Sequence, residues 1–452
     1  MGRPSQIGPD GTLIVPRIYI ETYGCQMNVS DSELMLGVLS RAGYERTEDP
    51  AAADVLLVNT CAVRDHAEQR VLGRMGELKR YKRPGDVLGV VGCMAQRLGP
   101  KLLEQVPQVD LVIGPDGYRG LPELIARARA GDRAADVTFR QWEHYEDVPA
   151  VRPEGSVSAF VTVQRGCDYR CTFCIVPMTR GPERSRNLED VVSEVTRLAL
   201  AGTSEVTLLG QTVNSYHDGR HDFADLLRAS GAVPGIHRIR FTSPYPTDFT
   251  DRVLAAMADT AAVCEHVHLP AQSGSSRVLK RMLRRYNRER YLEVVAALRQ
   301  AVPSIALTTD IIVGFPGETE DEFAETLSLV EQVEFDDAYT FRYSLRDGTP
   351  AVKMRDHVDP AVAAERLERL IALVRALARR RNMALVGTTH EVLVEGPAKR
   401  GGLLQTRTRT NKVALVDGPD DWIGTYRRVR FTGTTGSTFT AWPVEQELAL
   451  WA

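Results

Sequence analysis

Between Arg17 and Val91 the apolar positions gather into short runs bounded by turn formers. Arg17–Tyr23 (RIYIETY), Asp54–Asn59 (DVLLVN) and Val87–Val91 (VLGVV) are β-rich runs of this kind and read as strands. Helical spacing fills the intervals over Ser30–Arg41 and Val63–Tyr81, and Ser30-Asp31-Ser32-Glu33 has the form of a capping box at the first helix start. Strands alternating with helices predict a parallel sheet with helices on both faces and short right-handed connections. After a polar stretch the alternation resumes, with strand candidates at Ala159–Gln164, Glu205–Leu209, Ile236–Phe241, His266–Leu269, Ile305–Ile312 and Tyr339–Tyr343. Parallel strands with outer helices predict a partial (β/α)6 barrel, with its chemistry at the carboxyl ends of the strands. Pro360–Asn382 reads as an amphipathic helix ending in Arg379-Arg380-Arg381. Beyond it Thr388–Glu395, Leu403–Arg407, Val413–Val416, Trp422–Phe431 and Thr438–Trp442 are short β-like runs separated by glycines, which predict a small antiparallel, OB-like β-barrel.

The expected fold class is α/β with this small barrel appended. The expected order is a flexible tail over residues 1–14, a sheet domain over 15–130, a linker over 131–155 carrying Pro149 and Pro153, the partial barrel over 156–383 and the small barrel over 384–447. At 452 residues, 43% hydrophobic and 25% charged, the chain has the composition of a folded soluble protein of about three domains. Its formal net charge of -3 gives no nucleic-acid signal, so any RNA contact would use local patches. Lys399, Arg400, Arg407, Arg409, Lys412, Tyr426, Arg427, Arg428 and Arg430 offer one such patch, and Arg281, Arg284, Arg285, Arg288 and Arg290 another; a plain solvated face is the alternative for each. Arg379–Arg381 could touch RNA or simply complement the helix dipole. No apolar run of signal or membrane-spanning length is present, so a reducing cytoplasm and no membrane are expected.

The cysteines carry the chemistry. Gln164-Arg-Gly-Cys167-Asp-Tyr-Arg-Cys171-Thr-Phe-Cys174 packs three thiols into one short loop, a spacing that suits three corners of an iron-sulfur cluster and leaves its fourth iron open. Zinc would normally require paired Cys-x-x-Cys units or added histidines, and a disulfide does not fit a reducing compartment. Cys25, Cys61 and Cys93 are far apart in sequence, yet each falls just past a predicted strand. In a parallel sheet they would meet at the carboxyl edge, where such sheets bind ligands. Three separate buried thiols are the plain alternative, and for the seventh cysteine, Cys264, a buried small hydrophobe is the expected role. Tyr23-Gly24-Cys25-Gln26-Met27-Asn28 lacks the glycine spacing of a dinucleotide turn.

Cys-x-x-x-Cys-x-x-Cys with Phe173 before its last cysteine resembles the signature of the radical S-adenosylmethionine enzymes. The whole chain is similar to the methylthiotransferases of that superfamily, whose order is cluster domain, radical core and C-terminal TRAM barrel. Gly24-Cys25-Gln26-Met27-Asn28, Asn59-Thr60-Cys61-Ala62-Val63-Arg64 and Gly92-Cys93-Met94-Ala95-Gln96-Arg97 resemble the MiaB branch, which acts on transfer RNA. Leu208–Tyr216, His268–Gly274 and Asp310–Gly317 also match; Thr212 stands where asparagine is usual, and Leu345 and Asp347 where prolines are expected.

This resemblance implies two 4Fe-4S clusters, held by Cys167, Cys171 and Cys174 and by Cys25, Cys61 and Cys93. It implies S-adenosyl-L-methionine on the first, with Phe173, Glu205, Gln211, Gln272, Ser273, Asp310 and Gly314 as cofactor contacts; each also has a plain reading as a loop hydrogen-bonder or turn residue. The implied reaction converts N6-isopentenyladenosine 3′ of the anticodon to its 2-methylthio derivative, in the unpaired loop of the tRNA anticodon stem-loop. The implied partners are that tRNA and a low-potential donor of flavodoxin or ferredoxin type, for a monomeric cytoplasmic enzyme. The alternatives are a methylthiotransferase for threonylcarbamoyl-adenosine or a ribosomal-protein aspartate, and a non-catalytic, metal-stabilised RNA-binding protein.

Overall fold

Six strands, Glu45–Arg46, Arg17–Tyr23, Val55–Thr60, Val87–Gly92, Leu111–Ile113 and Ala134–Asp136, lie side by side in that order, all parallel, and form the N-terminal sheet. The structure, a computed structural model, describes residues 6–7, 13–62, 65–153, 155–399 and 401–444. Most of the tail expected over 1–14, together with Val63, Arg64, Arg400 and residues 445–447, lies outside the described residues; Gln6–Ile7 pairs antiparallel with Leu13–Ile14. Two compact units divide the chain, one of residues 1–154, 164–170 and 174–186, the other of 155–163, 171–173 and 187–452.

The first unit buries its sheet on both faces, which explains strands that read as unbroken apolar runs. Alternate side chains separate cleanly: Val55, Leu57, Val87, Val91, Leu111 and Ile113 pack under the Gln26–Arg41 and Leu121–Arg129 helices. Leu56, Val58, Leu88, Val90 and Val112 pack on the opposite face with Val71, Met75, Leu78 and Met94. Two expectations are corrected. The first helix begins at Gln26, with Cys25 as its N-cap and Asn28 completing the capping box, so Ser30, Asp31 and Ser32 are buried inside it. The segment 131–155 is no linker: Ala134–Asp136 is the sixth strand, Tyr145 and Val148 are buried in the core, and Glu143 takes a bidentate ion pair from Arg119. Its polar composition imitates a linker because its acidic residues are neutralised by arginines inside the unit.

In the second unit, Ser158–Thr162, Glu205–Leu209 and Arg238–Phe241 form one parallel sheet, and His266–His268, Ala306–Val313 and Asp337–Arg342 another. A single parallel bridge, Ile239 to Val263, links them into an open arc. The Pro360–Ala384 helix then leads to a closed five-stranded barrel of Thr389–Pro397, Leu404–Thr408, Val413–Val416, Tyr426–Thr434 and Thr438–Pro443. The barrel closes through one parallel pair, Val413–Val416 on Thr438–Ala441, so it is not wholly antiparallel.

This small barrel is docked at the amino ends of the arc's strands. Arg238, fully buried, donates to the Arg407 carbonyl at 2.7 Å and to Glu391 at 2.9 Å, under the Tyr426 ring. Arg240 donates to the Thr408 and Arg409 carbonyls, Arg409 pairs with Glu265 at 2.8 Å, and Lys412 pairs with Asp336 at 2.8 Å. Removing Arg238 leaves the Arg407 carbonyl without its donor, and an unsatisfied buried hydrogen-bonding group costs about 1–3 kcal/mol. Arg238→Ala should therefore loosen the barrel from the arc, and limited proteolysis followed by mass spectrometry should release a fragment beginning near Gly387 from the variant but not from the parent.

Candidate functional site

Parallel strands bring the three distant cysteines to one edge. Cys25 follows the Arg17–Tyr23 strand, Cys61 follows Val55–Thr60, and Cys93 opens the helix that follows Val87–Gly92. Two glycines allow the close approach. At Gly24, with φ of +151°, a Cβ would lie 2.2 Å from the Asn28 amide oxygen and 2.9 Å from Cys61 Cβ. At Gly92, with φ of +93°, it would lie 2.4 Å from Asn59 Oδ1. Behind the loops Asn28 and Asn59, both fully buried, lock together: Asn28 Nδ2 donates to Asn59 Oδ1 at 3.1 Å and to the Thr60 carbonyl at 3.2 Å, while Asn59 Nδ2 donates to the Asn28 carbonyl at 2.7 Å. Asn28 Oδ1 in turn accepts from the Cys25 amide at 3.3 Å.

The triad is electrostatically one site. A hydrogen bond from Cys61 brings the Cys25 thiol down to about 6, with desolvation opposing it and the charge of Arg180 assisting. Burial pushes the Cys93 thiol up, and Arg180 pulls it back. Arg180 sits on the Val176–Arg180 helix just past Cys174, and its Nε donates to Cys93 Sγ at 3.1 Å. Its Nη2 pairs with Asp31 at 2.7 Å, and Asp31 also takes Arg165 at 3.1 Å and the Tyr118 hydroxyl at 3.3 Å. Ala62 and Ile175 pack against Cys93.

In the second cysteine loop, Cys167 and Cys174 belong to the first unit and Cys171 and Phe173 to the second. Gly166, at φ of +79°, holds the loop entry where a Cβ would lie 1.9 Å from the Pro182 carbonyl, and the Cys167 amide donates to the Gly181 carbonyl at 3.1 Å. Cys171 Sγ accepts from Arg284 Nη1 at 3.3 Å, and the Arg284 guanidinium lies over the Tyr245 and Tyr286 rings. Thr172 is tied on both sides, its amide to the Met282 carbonyl and its own carbonyl to the Ala351 amide. Phe173 meets Phe315 edge-on in a core with Val278 and Met282. All seven cysteines are free thiols, so both triads are chemically able to ligate metal.

The remaining expected contacts divide. Gln211 lies past the carboxyl end of Glu205–Leu209, and Asp310 lies partly exposed on its strand with Oδ2 3.3 Å from His268 Nε2. Gln272, at φ of +65°, is bridged by its backbone to Asp310 and Ile312. Ser273 is turned toward Thr326, and Gly314 closes on the final helix, where a Cβ would lie 2.6 Å from Ala363. Glu205 departs from expectation: it opens its strand, and its carboxylate pairs with Arg240 at 3.1 Å at the amino end rather than at the carboxyl end of the strand.

The basic patches also shrink. Arg407 is held by Glu395 and Arg409 by Glu265, while Arg380 and Arg381 face Glu334 and Asp336. Arg281 and Arg290 are likewise paired with Asp356 and Glu293, and Arg288 donates to the Glu325 main-chain carbonyl. On the small barrel Lys399, Arg428 and Arg430 stay exposed, and Trp442, 71% exposed, lies beside Arg430 in register. Sequence reasoning gave no site role to Arg180, Asp31, Arg165, His268 and Trp442, and placed Arg284 only in a basic surface patch. Arg165, two residues before Cys167, and Arg180, six past Cys174, lie close enough to the cysteine motif to be noticed, and His268 opens a matching segment.

Two family models match, the uncharacterized protein family UPF0004 over residues 17–114 and the radical SAM superfamily over 161–330. The chain is 47% identical over 439 residues to the tRNA-2-methylthio-N(6)-dimethylallyladenosine synthase of Thermoanaerobacter sp. (strain X514), spanning 95% of this chain and 92% of that one. It is 46% identical over 434 residues to the synthase of the same description from Geobacillus thermodenitrificans (strain NG80-2), spanning 94% and 83%. Among solved structures, the radical S-adenosylmethionine methyltransferase TsrM of Kitasatospora setae aligns with a TM-score of 0.56 at 16% identity, over 74% of this chain and 75% of that one, a likeness of fold.

Leaving buried hydrogen-bonding groups unsatisfied costs about 1–3 kcal/mol each. Asn28→Ala strands partners on Asn59 and on the Cys25 amide, so it should lower the thermal midpoint and selectively reduce iron retained after anaerobic reconstitution, with Asn28→Asp intermediate; iron analysis beside a melting curve checks both.

Proposed function

We infer the reaction from one premise: the chain belongs to the tRNA-2-methylthio-N(6)-dimethylallyladenosine synthase family. It is a radical S-adenosylmethionine methylthiotransferase, and it converts N6-isopentenyladenosine 3′ of the anticodon in tRNA to the 2-methylthio derivative. Its cofactors are S-adenosylmethionine and two 4Fe-4S clusters. When bound, these groups supply a 5′-deoxyadenosyl radical from one-electron cleavage of the sulfonium and a methylated sulfur for transfer.

The observation that carries the division of labour is the convergence of Cys25, Cys61 and Cys93 on one sheet edge, separate in sequence from the Cys167–Cys174 loop. Cys167, Cys171 and Cys174 hold the radical cluster; Cys25, Cys61 and Cys93 hold the auxiliary one. Each triad supplies three thiols, so a four-iron cluster held there would have room for a non-protein ligand. Phe173 and its apolar neighbours Val278, Met282 and Phe315 shield the radical loop from water. Arg284, between two tyrosine rings, orients Cys171 and offers charge-assisted donation to its thiolate. Gln211 and Asp310 orient S-adenosylmethionine, whereas Ser273 and Gly314 shape the backbone around it.

Splayed bases of an anticodon loop can be stacked and read without opening a duplex. On the small barrel Arg428, Arg430 and Trp442 combine charge with an exposed aromatic face suited to such RNA. Among the described residues no helix is long and apolar enough to cross a membrane. The enzyme acts in the cytoplasm as a monomer, taking electrons from a donor of flavodoxin or ferredoxin type.

Anaerobic reconstitution should give about eight irons per chain, as two 4Fe-4S clusters require. With S-adenosylmethionine, a reductant and an isopentenylated anticodon stem-loop, Cys171→Ala should abolish 5′-deoxyadenosine. Cys61→Ala should retain some 5′-deoxyadenosine and form no 2-methylthio product. Normal thiolation by Cys61→Ala, read by nucleoside mass spectrometry, would refute the assignment of two clusters.

A further inference from the structure

Beside Cys93 the interior holds more positive than negative charge. The side chains of Arg165 and Arg180 are 5% and 4% exposed, and both lean on Asp31, which is fully buried. The next acids of that interior are already taken: Asp116 pairs with Arg184, and Glu143 with Arg119. Tyr118, hydrogen-bonded to Asp31, adds no charge of its own. An isolated buried charge costs several kcal/mol, so folded chains place a counter-charge next to it. Here two guanidiniums share one carboxylate, and of the two Arg180 points its Nε at Cys93 Sγ. Its Nη1 is buried and has no hydrogen-bond partner among the described residues. Three thiolates closing on a cluster would supply the missing negative charge, and sulfur would supply the missing acceptors.

We propose that Arg180 is the built-in counter-cation of the auxiliary cluster: a positioning residue that donates to Cys93 Sγ, offers a further donor toward cluster sulfur, and raises the reduction potential of that cluster. The proposal rests on the assignment of Cys25, Cys61 and Cys93 as ligands. Cluster potentials respond to net charge and to hydrogen bonds on sulfur, and a fixed positive charge favours the reduced, more negative state. Arg180 also makes a charge-assisted bond, which holds Cys93 in one rotamer when the site is filled. Asp31 orients Arg180 and dilutes its charge, so the two residues should move the potential in opposite directions.

The test uses the full-length chain with Cys167, Cys171 and Cys174 replaced by alanine, so that only the auxiliary site can fill. After anaerobic reconstitution its potential is read by EPR-monitored titration. About four irons are expected in this reference protein; if it takes up none, the ligand assignment fails, and the inference with it. Arg180→Met should shift the potential to more negative values, Arg180→Lys should restore most of the shift, and Asp31→Asn should shift it to more positive values. If the methionine variant holds no iron while the lysine variant does, a required cation is still indicated. If lysine fails alongside methionine, if Arg180→Met leaves the potential unchanged, or if the methionine and asparagine variants move it in the same direction, Arg180 is a packing residue and the proposal is overturned.

Discussion

Everything at the N-terminal site depends on strand direction. A parallel pair needs a crossover, and crossovers of one hand return every strand to the sheet in the same sense. Residues that leave the strands at Tyr23, Thr60 and Gly92 are therefore delivered to a common edge although tens of residues separate them in sequence. The Asn28–Asn59 lock and the two glycines refine this convergence by letting adjacent loops approach closely. None of that local chemistry could gather the cysteines if one strand ran the other way.

A second theme is how the chain places charge in dry surroundings. Arg238 and Arg240 are buried with Glu205 and main-chain carbonyls at the amino ends of the arc's strands, where they bind the small barrel to its neighbour. Arg165 and Arg180 are buried with Asp31 at the cysteine edge. The first set spends its charge on carboxylates and main-chain carbonyls of the protein and is structural, although Arg238 Nε has no hydrogen-bond partner among the described residues. The second points a guanidinium donor at Cys93 Sγ, and that direction, toward a thiol rather than toward a carbonyl or a carboxylate, is what sets it apart from the structural cluster.

Much of this was legible in sequence because the signals were periodic or closely spaced. Glu205–Leu209 and Val413–Val416 appear as strands with the bounds their apolar runs suggested, and the Cys167–Cys174 spacing declared its chemistry. What stayed hidden had long-range causes. Asp31 looked like part of a capping box because Ser30 and Glu33 flank it at the right spacing, yet its role comes from Arg165 and Arg180, more than a hundred residues away. The segment around Tyr145 looked like a linker because its charges, read singly, seem solvated; only the pairing of Glu143 with Arg119 makes its burial tolerable. Glu205 was misplaced for a simpler reason, since a strand's two ends look alike in sequence while only one faces the chemistry.

Arg407, Arg409 and Lys412, which by composition give the C-terminal barrel its basic character, spend their charge inside the protein on Glu395, Glu265 and Asp336. A surface that meets a polyanion with few unpaired cations displaces few condensed counterions, and the salt dependence of its affinity is correspondingly shallow. If the barrel is the RNA-binding surface proposed above, its grip would lean on contacts that ionic strength barely touches, such as base stacking on Trp442. Recognition of that kind would survive a concentrated electrolyte, in which a purely electrostatic reader would lose its hold.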